Sequence, residues 1–184
     1  MFRELLKRLA QGLEHAGVPY MVFGGQAVLL YGELRVTRDI DVALGVEPRE
    51  AAPVLAMIGE LGLQILVSDV EEFLRQTFVL PAMDPETGIR VDFVFSLSRY
   101  EREALRRAGR VAIDGVDVRF ISVEDLIIQK VIAGRPRDLE DVKTVILKNP
   151  GFDRDYVENW LQQFDQELDS QFLFVFQQMI AELA

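Results

Sequence analysis

Two aspartates one residue apart, Asp39 and Asp41, a third acid at Asp92 and the glycine pair Gly24-Gly25 are the residues of this chain best suited to chemistry. Carboxylates are hard oxygen donors, and two of them fixed side by side repel each other unless a cation neutralises them. The run Asp39-Ile40-Asp41-Val42-Ala43-Leu44 alternates as a strand does, with Ile40, Val42 and Leu44 on one face and Asp39, Asp41 and Ala43 on the other. The apolar face must be the buried one. The two carboxylates then share the open face with Cα atoms roughly 6.5 Å apart, a spacing suited to two divalent cations about 3.5–4 Å apart.

The glycines supply a complementary feature. An apolar, strand-like run, Tyr20–Phe23, stops at Gly24-Gly25, and Ala27, Val28, Leu29 and Leu30 then supply a helix that Gly32 can close in a left-handed conformation. Gly-Gly therefore sits at a helix N-terminus. Unpaired N–H groups and the positive end of the helix dipole point outward there, and without Cβ atoms an anionic oxygen can approach closely. The pair is a candidate phosphate seat. The third acid follows from the same alternation: Ile89, Val91, Phe93 and Phe95 face one way, Arg90 and Asp92 the other. If this strand lies beside Asp39–Leu44 on the same core, Asp92 emerges with the first two acids.

The elements that must position these residues are legible in the rest of the chain. Leu5, Leu6, Leu9 and Leu13 recur at helical spacing and predict a first helix that ends near Gly17. Residues 49–62 form a helix with Val54, Leu55, Ile58 and Leu61 on one stripe. Residues 64–67 and 77–80 read as strands, with a short acidic helix over 69–75 between them and a turn-rich loop over 81–88. Residues 98–108 are helical, with Glu101 early and Arg106 and Arg107 late, as the helix dipole favours. Asp114-Gly115 between Val111 and Val116 is a hairpin signal. Ser122-Val123-Glu124-Asp125 then caps a new helix. From residue 122 onward the strand signals cease, and three or four helices follow, broken at Gly134-Arg135-Pro136 and Asn149-Pro150-Gly151. Trp160, Leu161, Phe164, Phe172, Phe176 and Ile180 supply their core.

Composition narrows the chemistry. The chain of 184 residues is 49% apolar, enough for a substantial core, and holds no cysteine and one histidine. That excludes disulfides, thiolate nucleophiles, cysteine zinc sites and sites of several imidazoles. The lone His15 closes an amphipathic helix just before Gly17, a structural place for it. Carboxylates, lysines, arginines and oxygen-loving metals remain. The first residues lack the apolar centre of a signal peptide, and the most lipophilic run, residues 172–176, is far too short to span a bilayer, so a cytoplasmic protein without membrane association is expected. The formal net charge of −10 argues against general nucleic-acid binding.

Local basic groups stand out against that acidity. Arg35, Thr37 and Arg38 lie immediately before the paired acids, either as charge balance or as triphosphate contacts. Arg99, Arg102, Arg106, Arg107 and Arg110 form the most basic stretch, a solvated face or an acceptor surface. Lys130 lies in the first tail helix, and Arg135-Pro136-Arg137 forms a rigid corner with Pro136 in a first helical turn. Asp138 and Asp141 can hold these cations as ion pairs, the alternative being direct substrate contact.

Taken together, Gly24-Gly25, the spacing to Asp39-Ile40-Asp41 and the later strand with Asp92 resemble the signature of the polymerase-beta-type nucleotidyltransferase superfamily. Tyr31-Gly32, Arg35-Val36-Thr37-Arg38-Asp39 and the Ser122-Val123-Glu124-Asp125-Leu126 start, followed by Lys130 and Arg137-Asp138, look like its bacterial and archaeal branch, which includes abortive-infection toxins. The resemblance covers about residues 17–147. Many members carry Gly-Ser where this chain has Gly25, a change that loses a hydroxyl and keeps the backbone N–H.

The resemblance implies an α/β fold of the α+β kind: a mixed sheet with helices on one face, a cleft on the other and an all-helical tail. Residues 1–121 would form the nucleotidyltransferase core and residues 122–184 a helical region packed on it. It also implies that Asp39, Asp41 and Asp92 hold two Mg2+ ions, with Mn2+ as a substitute, and that Asp92 helps deprotonate the attacking hydroxyl. Gly24 and Gly25 would hold the triphosphate, with Lys130 the tail residue that contacts it and Arg38 and Arg135 as further contacts. The expected reaction moves a nucleoside monophosphate from a nucleoside triphosphate to a hydroxyl and releases pyrophosphate. The acceptor stays open among a small molecule, a protein and transfer RNA, and the oligomeric state stays open as well. The alternative is a non-catalytic, antitoxin-like module of the same fold that binds a protein partner through its tail.

Overall fold

The structure is a computed structural model and describes residues 1–34, 36–96 and 98–183. The chain forms two compact units, one of Met1–Gln26 with Val36–Ile121, the other of Ala27–Arg35 with Ser122–Ala184. Both are discontinuous in sequence, because residues 27–35 belong with the helical tail.

The first unit is built on a 7-stranded sheet. Its elements in chain order are α1 (Phe2–His15), β1 (Tyr20–Phe23), the start of α2 (Gly24–Tyr31), β2 (Asp39–Leu44), a 3-10 turn at Pro48–Glu50, α3 (Ala52–Glu60), β3 (Gln64–Ile65), α4 (Val70–Thr77), β4 (Val79–Met83), β5 (Arg90–Phe95), α5 (Arg99–Arg107), β6 (Gly109–Ile113) and β7 (Val116–Phe120). The strand order is β3-β4-β5-β2-β1-β7-β6. β2 runs parallel to β5 and β1 parallel to β7, while the other neighbours are antiparallel, so the sheet is mixed.

Alternation decides which side of this sheet is closed. Tyr20 and Val22, Ile40, Val42 and Leu44, Leu80 and Ala82, and Val91, Phe93 and Phe95 are all buried. Their sequence neighbours on the opposite face include Phe23, Asp39, Asp41, Arg90 and Asp92, which keep some exposure. The leucines of α1 are likewise buried, and the helix ends where Gly17 takes a left-handed φ of 66°. Asp114 and Gly115, with φ of 49° and 84°, make the β6–β7 turn, as the Asp-Gly pair predicts. Tyr20 links β1 to β7 through its buried hydroxyl, which accepts a hydrogen bond from the Arg119 N–H at 3.2 Å.

The structure departs from the sequence reading at several boundaries. The helix expected over 49–62 divides at Ala51 into the 3-10 turn and α3. The strand expected over 77–80 starts later, because Asp69 caps α4 and Phe78 closes it with a left-handed φ of 57°. Pro81, expected in a loop, lies within β4 opposite Asp92. A proline inside a sheet is tolerated where no partner needs its N–H. Here the two-residue β3 ends at Ile65, and the Pro81 carbonyl accepts from the Leu66 N–H at 3.0 Å.

The second unit contains the rest of α2 together with α6 (Val123–Ala133), α7 (Pro136–Lys148), α8 (Arg154–Leu168) and α9 (Phe172–Leu183). Gly134, left-handed at φ 62°, closes α6, and Pro136 opens α7. Asn149 at the end of α7 donates to the carbonyls of Tyr31 and Val145, and Lys148 donates to that of Gly32. These bonds tie Tyr31 and Gly32 to the end of α7. The fully buried Asp125 accepts from Ser122 Oγ at 2.7 Å and from Tyr156 Oη at 3.0 Å. Lys130 Nζ, also buried, donates to Asp138 Oδ1 at 2.6 Å and Asp141 Oδ2 at 2.8 Å. Among the described residues no helix is long and apolar enough to cross a membrane.

Two outcomes test this description. Lys130→Met removes the buried ammonium that Asp138 and Asp141 share, so the helical unit should lose about 3 kcal/mol of stability, read as a lower urea midpoint by circular dichroism. Burial raises the Tyr20 pKa above its ordinary 10.0, outweighing the opposing Arg119 hydrogen bond. The neutral phenol is therefore favoured by the fold, and its stabilisation is complete below the unfolded pKa and lost as pH rises through the folded value. Wild type should lose stability relative to Tyr20→Phe as pH rises above about 10, measured by urea unfolding at a series of alkaline pH values.

Candidate active site

The register of three strands assembles the acids. β2 and β5 are parallel with Asp41 paired to Asp92, and β1 is antiparallel to β2 with Phe23 paired to Asp41. Asp41 and Asp92 thus lie side by side on one face, and the chain leaves β1 at Gly24 right beside them. One ligand oxygen from each of Asp39, Asp41 and Asp92 lies within 4.8 Å of the others, and all three residues are half-buried. The convergence expected from alternation, on the condition that the two strands lie side by side, is the convergence observed.

Gly24 has two reasons to be glycine. Its φ is +61°, in the left-handed region, and a Cβ built on it would lie 2.0 Å from Asp41 Oδ2. Any side chain at 24 would displace that carboxylate. Gly25 is buried in the first turn of α2, where backbone N–H groups have no partner one turn earlier in the helix. The glycine bend and the acidic cluster are therefore adjacent within the same unit.

Several side chains set the acids in place. Thr37 Oγ1 donates to Asp39 Oδ1 at 3.2 Å, and the buried Gln26 donates through Nε2 to the Asp39 carbonyl at 3.3 Å. Arg90 Nε donates to both oxygens of Asp92, at 2.8 and 3.1 Å. The sequence reading gave Gln26 and Arg90 no role. For Arg90 the signal was available, since it lies two residues before Asp92 on the same strand face. For Gln26 it was only the position directly after the glycine pair.

The basic candidates are distributed differently. Arg38 is exposed just before β2, and Arg35 lies outside the described residues. Lys130 is held in the helical unit by its two carboxylates, and Arg135 Nε lies 3.3 Å from Asp138 Oδ2 with a largely exposed side chain. On the sheet unit, Arg106 pairs with Glu103 and Arg110 with Asp117. His15 is exposed in the last turn of α1.

Three oxygen donors of one sign, half-buried and converging, are the donor set a hard divalent cation prefers. With a glycine bend alongside, such a sheet is the scaffold of a nucleotidyl-transferring enzyme. The chain belongs to the family of nucleotidyltransferases of unknown function DUF6036, whose model matches residues 2–171. No curated protein matches it in sequence. Its fold is similar to that of an antigenic nucleotidyltransferase-like protein from Paracoccidioides brasiliensis, at 18% identity and TM-score 0.58, over 94% of this chain and 92% of that one. It is also similar to the antibiotic-resistance factor ANT(2'')-Ia, at 18% identity and TM-score 0.61, over 91% of this chain and 92% of that one. A third likeness is to the lincosamide antibiotic adenylyltransferase LnuA, at 19% identity and TM-score 0.50, over 72% of this chain and 89% of that one. The superfamily expected from the motifs is the one found, and at these identities the solved structures speak for the fold.

A consequence of the geometry can be measured without substrate. Charges about 5 Å apart repel by roughly 1 kcal/mol even in water, so Asp39→Asn should raise stability in EDTA by about that much, read as a higher urea midpoint. An amide oxygen can still accept from Thr37, so the gain isolates the charge.

Proposed function

We propose that this chain is a metal-dependent nucleotidyltransferase that moves a nucleoside monophosphate from a nucleoside triphosphate to a hydroxyl. The observation that carries the reading is the convergence of Asp39, Asp41 and Asp92 beside the Gly24-Gly25 bend. The donor set fits two Mg2+ ions, or Mn2+, which when bound supply charge neutralisation to the triphosphate and to the acceptor oxygen. Gly24 and Gly25 present backbone N–H groups to the phosphates, and exposed Arg38 adds a cationic contact from the rim. Asp92 takes the proton of the attacking hydroxyl. A new bond then forms between that oxygen and the α-phosphorus, the bridge to the β-phosphate breaks, and pyrophosphate leaves.

Within this reading Lys130 and Arg135 act through the helical unit. Lys130, paired with Asp138 and Asp141, fixes the junction of α6 and α7, while Arg135 keeps a largely exposed side chain. A small molecule is the acceptor we favour. The formal charge of −10 disfavours a polyanionic acceptor. Two proteins of similar fold also point that way: ANT(2'')-Ia has been crystallised with adenylyl-2''-tobramycin, and LnuA with lincomycin. The second reading, a partner-binding module akin to the antitoxin-like proteins, draws support from exposed Leu168 and Phe174 in the tail.

The test is ligand-linked stability. Millimolar Mg2+ with a nucleoside triphosphate at about 100 times its Kd adds roughly 2.7 kcal/mol, so the melting temperature should rise by about 5 °C or more. Asp41→Asn should abolish that rise. An unchanged melting curve with all four triphosphates would falsify the enzymatic reading, and co-purification of a stoichiometric protein without label uptake from α-labelled nucleotides would replace it with the module.

A further inference from the structure

The composition of α9 does not suit a surface helix. It opens Phe172-Leu173-Phe174-Val175-Phe176, and five consecutive apolar residues cover every side of a helix, the pattern of one enclosed in a core. Yet α9 buries Phe176 and Met179 and leaves Phe174 55% exposed. Leu173 and Phe174 instead line an open groove of about 490 Å3, together with Asp165, Ser170, Gln171 and Gln177. Leu168, at the end of α8, is also 55% exposed. One exposed leucine or phenylalanine is ordinary on a protein surface. Here they accompany a groove, and the charge around them has one sign. From residue 155 onward the sequence carries six acids and no lysine, arginine or histidine. Glu158 pairs with Arg154 and Glu182 with Lys143, and Asp165 accepts from the Phe172 and Leu173 N–H groups at the start of α9. Exposed Glu167 and Asp169 flank Leu168.

We propose that the α8–α9 hairpin is a docking surface for a cationic amphipathic helix of another protein. That helix lays apolar side chains into the groove beside Phe174 and sets lysines or arginines against Glu167 and Asp169, a helix-in-groove contact with an apolar centre and a charged rim. Charge selects this occupant. The same hairpin of a second copy brings only like charge, and RNA and anionic lipid surfaces are repelled for the same reason. The surface lies wholly within the helical unit and does not depend on Asp39, Asp41 or Asp92. It therefore holds for an enzyme and for a non-catalytic module alike.

The probe is a fluorescein-labelled synthetic peptide of about 14 residues, some four helical turns, with leucine and lysine in amphipathic order. It is titrated with the full chain and read by fluorescence anisotropy. Wild type should bind it in preference to a scrambled peptide of equal composition and to a leucine-glutamate counterpart. Phe174→Gln should weaken binding about tenfold, the size of a lost aromatic anchor. Glu167→Gln with Asp169→Asn removes both rim charges, and asparagine tolerates the left-handed φ of 49° at residue 169. This double variant should weaken binding about threefold to tenfold at low salt, and the loss should shrink as salt rises. It replaces no side chain of the groove, so it decides the question even where Phe174→Gln lowers the urea midpoint. Equal binding of the scrambled peptide would reduce the surface to plain charge attraction, and full affinity in Phe174→Gln would remove the groove from it. Binding of the leucine-glutamate peptide, or full affinity in the double variant, would remove the charge argument. A wild type that binds no peptide overturns the proposal as each of these does, and if it sediments as a dimer that Phe174→Gln dissociates, the face belongs to a second copy.

Discussion

Repulsion among Asp39, Asp41 and Asp92 is the constraint around which the sheet unit is arranged. Carboxylate oxygens within 4.8 Å of one another work against folding. What holds them there is the hydrophobic side of the same two strands: Ile40, Val42, Leu44, Val91, Phe93 and Phe95 are buried, and their burial fixes the parallel register that brings the acids together. A slip of one residue would turn the acids inward and the apolar residues out. The core therefore enforces the site, and each apolar contact on one face maintains an unfavourable contact on the other.

Relief is local. Thr37 donates to Asp39, Arg90 to Asp92, and Gln26 anchors the backbone from which Asp39 projects. Gly24 adds a steric boundary, since the space a side chain would fill is taken by the Asp41 carboxylate. The acids are thus pre-aligned by hydrogen bonds and packing. Such pre-alignment moves the ordering cost from binding to folding.

Much of this was legible from the sequence because it depends on period-two alternation, which needs no tertiary information. The six residues of β2, the third acid on β5, the Asp-Gly hairpin and the Ser122 cap were all local patterns. What was not legible depended on neighbours distant in sequence. Pro81 reads as a loop residue until the shortness of β3 removes the need for its N–H. For Lys130 the sequence left ion pairing with Asp138 and Asp141 open beside substrate contact, and the turn between α6 and α7 brings both acids onto it. Residues 27–35 read as part of the first half of the chain until Lys148 and Asn149 claim their carbonyls.

That last feature bears on how the molecule comes into being. The helical unit is split by Val36–Ile121 of the sheet unit, so its two pieces are synthesised far apart in time. Ala27 and Val28 emerge early, and the helices that complete their unit emerge last. A nascent chain carries unfinished apolar surface through most of translation, and the final turns of α7 supply the hydrogen bonds that close the gap.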